Sequence, residues 1–234
     1  APAVRWVEIA PDDGSHFYAQ ERPKYFASAT GLTTASTLQT VRIEGLKPAT
    51  TYRYRIYAQE ILKHESYVIE YGKVAAAAAY MAKLPIFRTA DPNAREVNFA
   101  MVNDIHQRND ALKTLLNQLN WDKTNFVIFN GDMVNNLRNE EQLFSSFLDT
   151  ATSLFASQIP FYYARGNHET RGEFASSFPN YFPTSSGKLY YLLRRGPVCF
   201  IFLDTGEDKP DSDIEYSGIA DFDYYRTQQA QWLK

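Results

Sequence analysis

The chain has 234 residues, 44% of them apolar, which marks a globular protein with enough material for one large domain or two smaller ones. A formal net charge of -3 excludes the basic footprint of a general nucleic-acid binder, so a polynucleotide would have to be held by local charge. No apolar stretch reaches transmembrane length, and the single cysteine, Cys199, offers no internal disulfide.

Residues 1–90 carry β signals between turn residues, with little helical periodicity. Val41 and Ile43 alternate with Arg42 and Glu44, and Tyr52, Tyr54 and Ile56 alternate with Arg53 and Arg55. Both patterns predict half-buried antiparallel strands. His16 and His64 fall in this part and are expected at the surface. The alanine run Ala75 to Ala79 is compatible with a short helical turn or a strand. A polar, proline-containing seam, Thr89-Ala90-Asp91-Pro92-Asn93-Ala94, then marks a domain boundary.

From Val97 onward strands and helices alternate, which predicts a sheet flanked by helices. Phe99-Ala100-Met101-Val102 reads as a strand buried on both faces. Leu112, Leu115, Leu116 and Leu119 then fall at helical spacing, with Asn109 and Asp110 as caps. Phe126-Val127-Ile128-Phe129 repeats the strand signal, and Leu143, Phe144, Phe147, Leu148 and Ala151 share a helical face. Ile159 to Tyr163 is a third strand, Lys188 to Leu193 and Val198 to Leu203 are two more, and a last helix covers Tyr225 to Leu233. Inside Val198 to Leu203, Cys199 is expected to act as a small buried hydrophobe, with no acid or base adjacent to make it a nucleophile.

Three of these strand-like runs end in residues able to hold a metal. Asp104 and His106 sit two apart, so in an extended turn both can point the same way and offer a carboxylate and an imidazole to one divalent cation. Alone, the pair is a weak signal, more often a cap beside a solvated histidine than a metal site. Gly131 lets the backbone turn so that Asp132 points out over the strand end, where one carboxylate can bridge two cations. Its plainer alternative is a Gly-Asp turn. In Gly166-Asn167-His168-Glu169, Asn167 supplies a neutral oxygen and His168 can reach a substrate oxygen, unless the pair is an ordinary turn with a surface histidine. Glu169 is expected to orient its neighbours. Arg165 and Arg171 flank this turn and match phosphate oxygens in bidentate fashion, or form a solvated pair. The acidic stretch Asp204 to Asp213 is expected as a loop over the site, with Asp204 near its mouth.

The three strings together resemble the signatures of the calcineurin-like metallophosphoesterase superfamily, Asp-x-His, Gly-Asp-x-x-(Asp/Asn/Tyr) and Gly-Asn-His-(Asp/Glu). The resemblance runs over residues 95–234. Residues 1–90, with Leu46-Lys47-Pro48-Ala49-Thr50-Thr51-Tyr52 and Phe87-Arg88-Thr89-Ala90, are similar to the N-terminal fibronectin type III-like sandwich of purple acid phosphatases, Tyr52 occupying a structural tyrosine corner. The implied fold is an all-β sandwich followed by an α/β metallophosphoesterase domain. The implied activity is hydrolysis of small or exposed phosphomonoesters or phosphodiesters at two divalent metal ions. By position, the resemblance makes Asp104 and His106 ligands of the first metal, Asp132 the bridge, Asn167 a ligand of the second metal and His168 the phosphate-facing acid.

Two departures refine the expectation. Purple acid phosphatases place an iron-binding Tyr three residues after the bridging Asp, and here that position is Asn135, which implies a colourless site using Mn, Fe or Zn. The family also completes its site with later histidines, one on its own and two in a Gly-His-x-His string, and none follows His168, so the catalytic domain is expected to be truncated at its C-terminus. Asn136 stands where serine/threonine phosphatases carry a phosphate-binding Arg, which disfavours that branch. A rival from another class is an inactive scaffold whose first domain binds glycan or protein. The resemblance and the start Ala1-Pro2-Ala3 imply a secreted or periplasmic protein.

Overall fold

In the computed structural model, which describes residues 1–77 and 83–234, the chain separates into two units, Ala1–Pro92 and Asn93–Lys234. The first carries strands β1 (Ala3–Pro11), β2 (Lys24–Phe26), β3 (Ser28–Ala29), β4 (Leu32–Thr33), β5 (Thr51–Glu65), β6 (Val68–Ala76) and β7 (Ile86–Arg88). Strands β1 and β5 pair antiparallel from Ala3↔Glu60 to Pro11↔Tyr52 and form the middle of a sheet ordered β2-β1-β5-β6, with β7 on the Thr51 end of β5. Their length follows from β-branched and aromatic side chains that fit a pleated surface. Tyr52 is buried, and its phenol oxygen accepts from the Lys47 N–H at 3.0 Å, an upstream backbone group.

Val41 and Ile43 are half-buried and Arg42 and Glu44 exposed, as their alternation requires, yet residues 41–44 belong to no strand. Alternation reports which face is covered; a strand also needs a neighbour, and none pairs here. Among the described residues the unit has this one large sheet and the two-residue hairpin β3–β4. Ala75 and Ala76 finish β6, while positions 78 and 79 of the alanine run lie outside the described residues.

The second unit is built on three parallel strands, β8 (Phe99–Val102), β9 (Phe126–Asn130) and β10 (Phe161–Ala164), in the order β10-β9-β8. Central β9 is buried from Phe126 to Phe129. Helix α1 (Asn109–Leu116) buries Leu112 and Leu116 and leaves Leu115 exposed. Residues 140–156 are continuously helical, with α2 (Glu140–Leu143) and α3 (Asp149–Ala151) alternating with two π-type segments. Leu143, Phe147, Ala151 and Phe155 are all buried. In a regular α-helix a four-residue spacing drifts by about 40° per step. The wider π turns cancel that drift and keep the row on the core.

An antiparallel hairpin of β11 (Tyr191–Arg195) and β12 (Val198–Phe202) and the helix α4 (Phe222–Leu233) complete the unit. Two expectations about burial are corrected here. Phe99 and Met101 are 44% and 52% exposed, because β8 is an edge strand with one open face. Cys199 is likewise exposed: Phe200 and Phe202 turn toward the cluster of Phe126, Ile128 and Ala164, while Cys199 and Ile201 face outward. An apolar run shows what a strand tolerates and does not fix how many layers cover it. No helix among the described residues is long and apolar enough to cross a membrane.

One buried anion joins the ends of β9 and β10. Glu169 is 0% exposed. Its Oε2 accepts from the N–H groups of Asp132 and Gly166, both at 3.0 Å. Its Oε1 accepts from the Met133 N–H at 2.8 Å, the Val134 N–H at 3.4 Å and the Tyr163 hydroxyl at 2.8 Å. Burial pushes the Tyr163 phenol well above its ordinary range, and the Glu169 charge adds to the shift, so it stays a donor.

Replacing Glu169 by Gln leaves N–H donors facing an amide N–H2, at roughly 1–3 kcal/mol for each stranded group. Urea denaturation of Glu169→Gln is expected to show a loss of that order, and a midpoint equal to the parent's overturns the clamp. The raised Tyr163 pKa contributes stability that is complete below the unfolded tyrosine value of ~10 and is lost as pH rises through the folded value. Tyr163→Phe is therefore expected to flatten the alkaline limb of a stability-versus-pH profile above about pH 10. An unchanged limb rules this out.

Candidate metal centre

The turns that follow β8, β9 and β10 lie side by side at the carboxyl ends of parallel strands, where side chains escape the sheet. The first hangs on the second through backbone bonds: Asp104 N–H to Gly131 O at 3.2 Å, His106 N–H to Asp132 O at 2.9 Å and Gln107 N–H to Met133 O at 3.0 Å. Asp104, His106, Gln107 and Asp132 all take left-handed backbone, with φ between 49° and 63°. Such strain persists only where the surroundings over-determine it, and it gathers at ligand sites.

Two glycines let the second and third turns touch. A Cβ on Gly131 would lie 2.6 Å from the Gly166 backbone, and one on Gly166 would lie 2.3 Å from Asp132 Oδ1. No side chain fits there. The contact brings the Asp132 carboxylate against the third turn, where its Oδ1 accepts from the His168 N–H at 3.1 Å.

His106, Asp132 and His168 each offer a ligand atom within 4.8 Å of the others. Asp104 Oδ1 lies 3.7 Å from His106 Nε2, and the two imidazole rings meet edge to face at 4.6 Å. Asp104, His106, Asp132, Asn167 and His168 thus stand together. The His168 ring is anchored by Nδ1 to the Asn135 carbonyl at 2.8 Å, and its Nε2 lies 3.3 Å from Arg171 Nη1.

Arg165 and Arg171 are committed to carboxylates of the loop after β12. Arg165 pairs with the fully buried Asp204 at 2.9 Å, and Asp204 also accepts from the Tyr225 hydroxyl at 3.1 Å. Arg171 grips Glu207 with two parallel bonds, Nε to Oε1 at 2.7 Å and Nη2 to Oε2 at 2.9 Å, which leaves Nη1 turned to His168. Glu207 raises the Arg171 pKa further. Burial alone would raise the Glu207 carboxyl, but bonds from Arg171 and Thr170 outweigh it and hold the group below its usual range. Sequence reasoning missed Glu207, whose only signal was its place in an acidic loop following a strand.

The donor set suits a divalent cation of the Mn, Fe or Zn kind: carboxylate and amide oxygens with imidazole nitrogens. The Asn167 amide lies 3.2 and 3.3 Å from the two Asp132 carboxylate oxygens, close enough for its oxygen to join Asp132 on one cation when that end of the amide is turned to the metal.

The calcineurin-like phosphoesterase family model matches residues 97–234. A comparison with curated proteins found no match. Among solved structures, purple acid phosphatase from yellow lupin (Lupinus luteus) seeds is similar at 16% identity and a TM-score of 0.58, over 94% of this chain and 44% of that one. This chain therefore spans less than half the length of the lupin enzyme, and the likeness is one of fold. With the family match covering well over half of its residues, the chain belongs to the calcineurin-like phosphoesterases.

Proposed function

We propose that this chain hydrolyses phosphomonoesters or phosphodiesters with two divalent metal ions held by Asp104, His106, Asp132 and Asn167. The observation that carries the reading is the meeting of His106, Asp132 and His168 within 4.8 Å at the ends of parallel strands, in a chain of this family. Bound cations would supply Lewis acidity toward the phosphoryl oxygens. The protein's own part is positioning. Asp104 and His106 would hold one cation, Asp132 would offer its carboxylate to both, and Asn167 would supply its amide oxygen to the second. His168 gives Nδ1–H to the Asn135 carbonyl, and its Nε2 lies 3.3 Å from Arg171 Nη1; in the doubly protonated ring Nε2–H is the donor that can stabilise or protonate a phosphoryl or leaving-group oxygen. A small or exposed phosphoester is the substrate class.

The first unit is proposed to be fibronectin type III-like. The Lys47 to Tyr52 bond and a fold likeness reaching over 94% of the chain support that reading. Asn135 in place of a tyrosine supports a metal site without the purple colour.

In the full-length protein, Asp132→Ala is expected to abolish metal-dependent turnover of an aryl phosphate and to lower the metal content measured by elemental analysis. Turnover at the parent rate refutes the assignment. His168→Ala is expected to keep its metal and lose roughly 10²–10⁴-fold in kcat. Loss of metal from that variant would move His168 into the ligand set.

A further inference from the structure

The Asn167 amide stands between two carboxylates. One end of it lies 3.2 and 3.3 Å from the two Asp132 oxygens; the other lies 3.3 Å from Glu207 Oε2 and 2.7 Å from Arg171 Nη2. With its nitrogen toward Asp132, the amide donates to both Asp132 oxygens and accepts from Arg171 Nη2. Without a cation this orientation is the better satisfied, since each donor then meets an acceptor. A cation against Asp132 reverses the preference, because it needs the amide oxygen and sends the N–H2 to the far side.

Glu207 is what waits on that far side. It is 6% exposed and rigidly held, by the two bonds from Arg171 and by the Thr170 hydroxyl at 2.9 Å. A charged acceptor fixed in this way makes a strong partner for an amide N–H2. We propose that Glu207 is a positioning residue of the metal centre: it receives the Asn167 N–H2 when the amide oxygen turns to a cation at Asp132. The Glu207–Arg171 pair then offers the amide a partner in either orientation, an acceptor when metal is bound and a donor when it is not. This rests on the cation-binding reading above. Outer groups that orient a ligand commonly account for 10–100-fold in metal affinity.

The test uses the full-length protein, with Zn²⁺ binding followed by calorimetry and the Asn167 side-chain amide followed by nitrogen-15 NMR. In the parent, Zn²⁺ is expected to shift the Asn167 N–H2 resonances as the amide turns. Glu207→Ala is expected to weaken Zn²⁺ binding roughly 10–100-fold, and Glu207→Gln, which keeps an acceptor oxygen and the shape of the site, by less. Combining Glu207→Ala with Asn167→Ala is expected to cost no more affinity than Asn167→Ala alone, whereas a merely structural role makes the two losses add. If Glu207→Ala does not fold, the same cycle is run with Glu207→Gln. Unchanged Zn²⁺ affinity in the Glu207 variants, additive losses, or an Asn167 amide indifferent to Zn²⁺ overturns the proposal and leaves the cation site standing. A parent protein that binds no Zn²⁺ at all overturns the cation reading, and this proposal with it.

Discussion

One buried carboxylate, Glu169, holds the turns after β9 and β10 together. Glu169 is removed from water and answered by four backbone N–H groups and one phenol, drawn from both sides of the seam between β9 and β10. An ion buried without such partners would cost several kcal/mol. Here its demand for donors fixes the backbone of residues 132–134 and 166 in a single arrangement. The position of Asp132 and the approach of Asn167 follow from it, before any metal is considered.

Around that clamp the site is braced from two directions. The turn after β8 is hung on the turn after β9 by main-chain bonds, which impose left-handed backbone on Asp104 and His106. From the other side, the loop after β12 takes hold of Arg165 and Arg171 through Asp204 and Glu207. Side chains fixed by their own partners lose little freedom when a ligand arrives, and constellations carried on strand ends are held more closely than those on free loops. Arg171 illustrates the trade involved: two of its guanidinium nitrogens are spent on Glu207, and Nη1 turns toward His168.

Much of the fold could be read from the residues. Parallel strands β8, β9 and β10 and the helix after β8 lie where apolar runs and leucine spacing put them, because packing and periodicity are local facts. Coverage was harder to read. Phe99, Met101 and Cys199 sit in apolar runs yet reach solvent, since the number of layers over a strand depends on segments far away in sequence. The same limit explains Val41 to Glu44, whose alternation is real but unpaired. In the site, motif residues stood out because glycines and metal-ligand types coincide at strand ends. Glu207 did not, since nothing in an acidic loop distinguishes the carboxylate that will meet Arg171 from those left in water.

The outward face of β12 gives the protein a practical handle. Cys199 is the chain's only thiol and is exposed, on a hairpin remote in sequence from the turns that follow β8, β9 and β10. A maleimide fluorophore or nitroxide would therefore couple to the folded molecule at one defined address, without mutagenesis. Paired with a paramagnetic ion at the candidate metal centre, such a tag would turn the hairpin into a ruler for distances across the second unit.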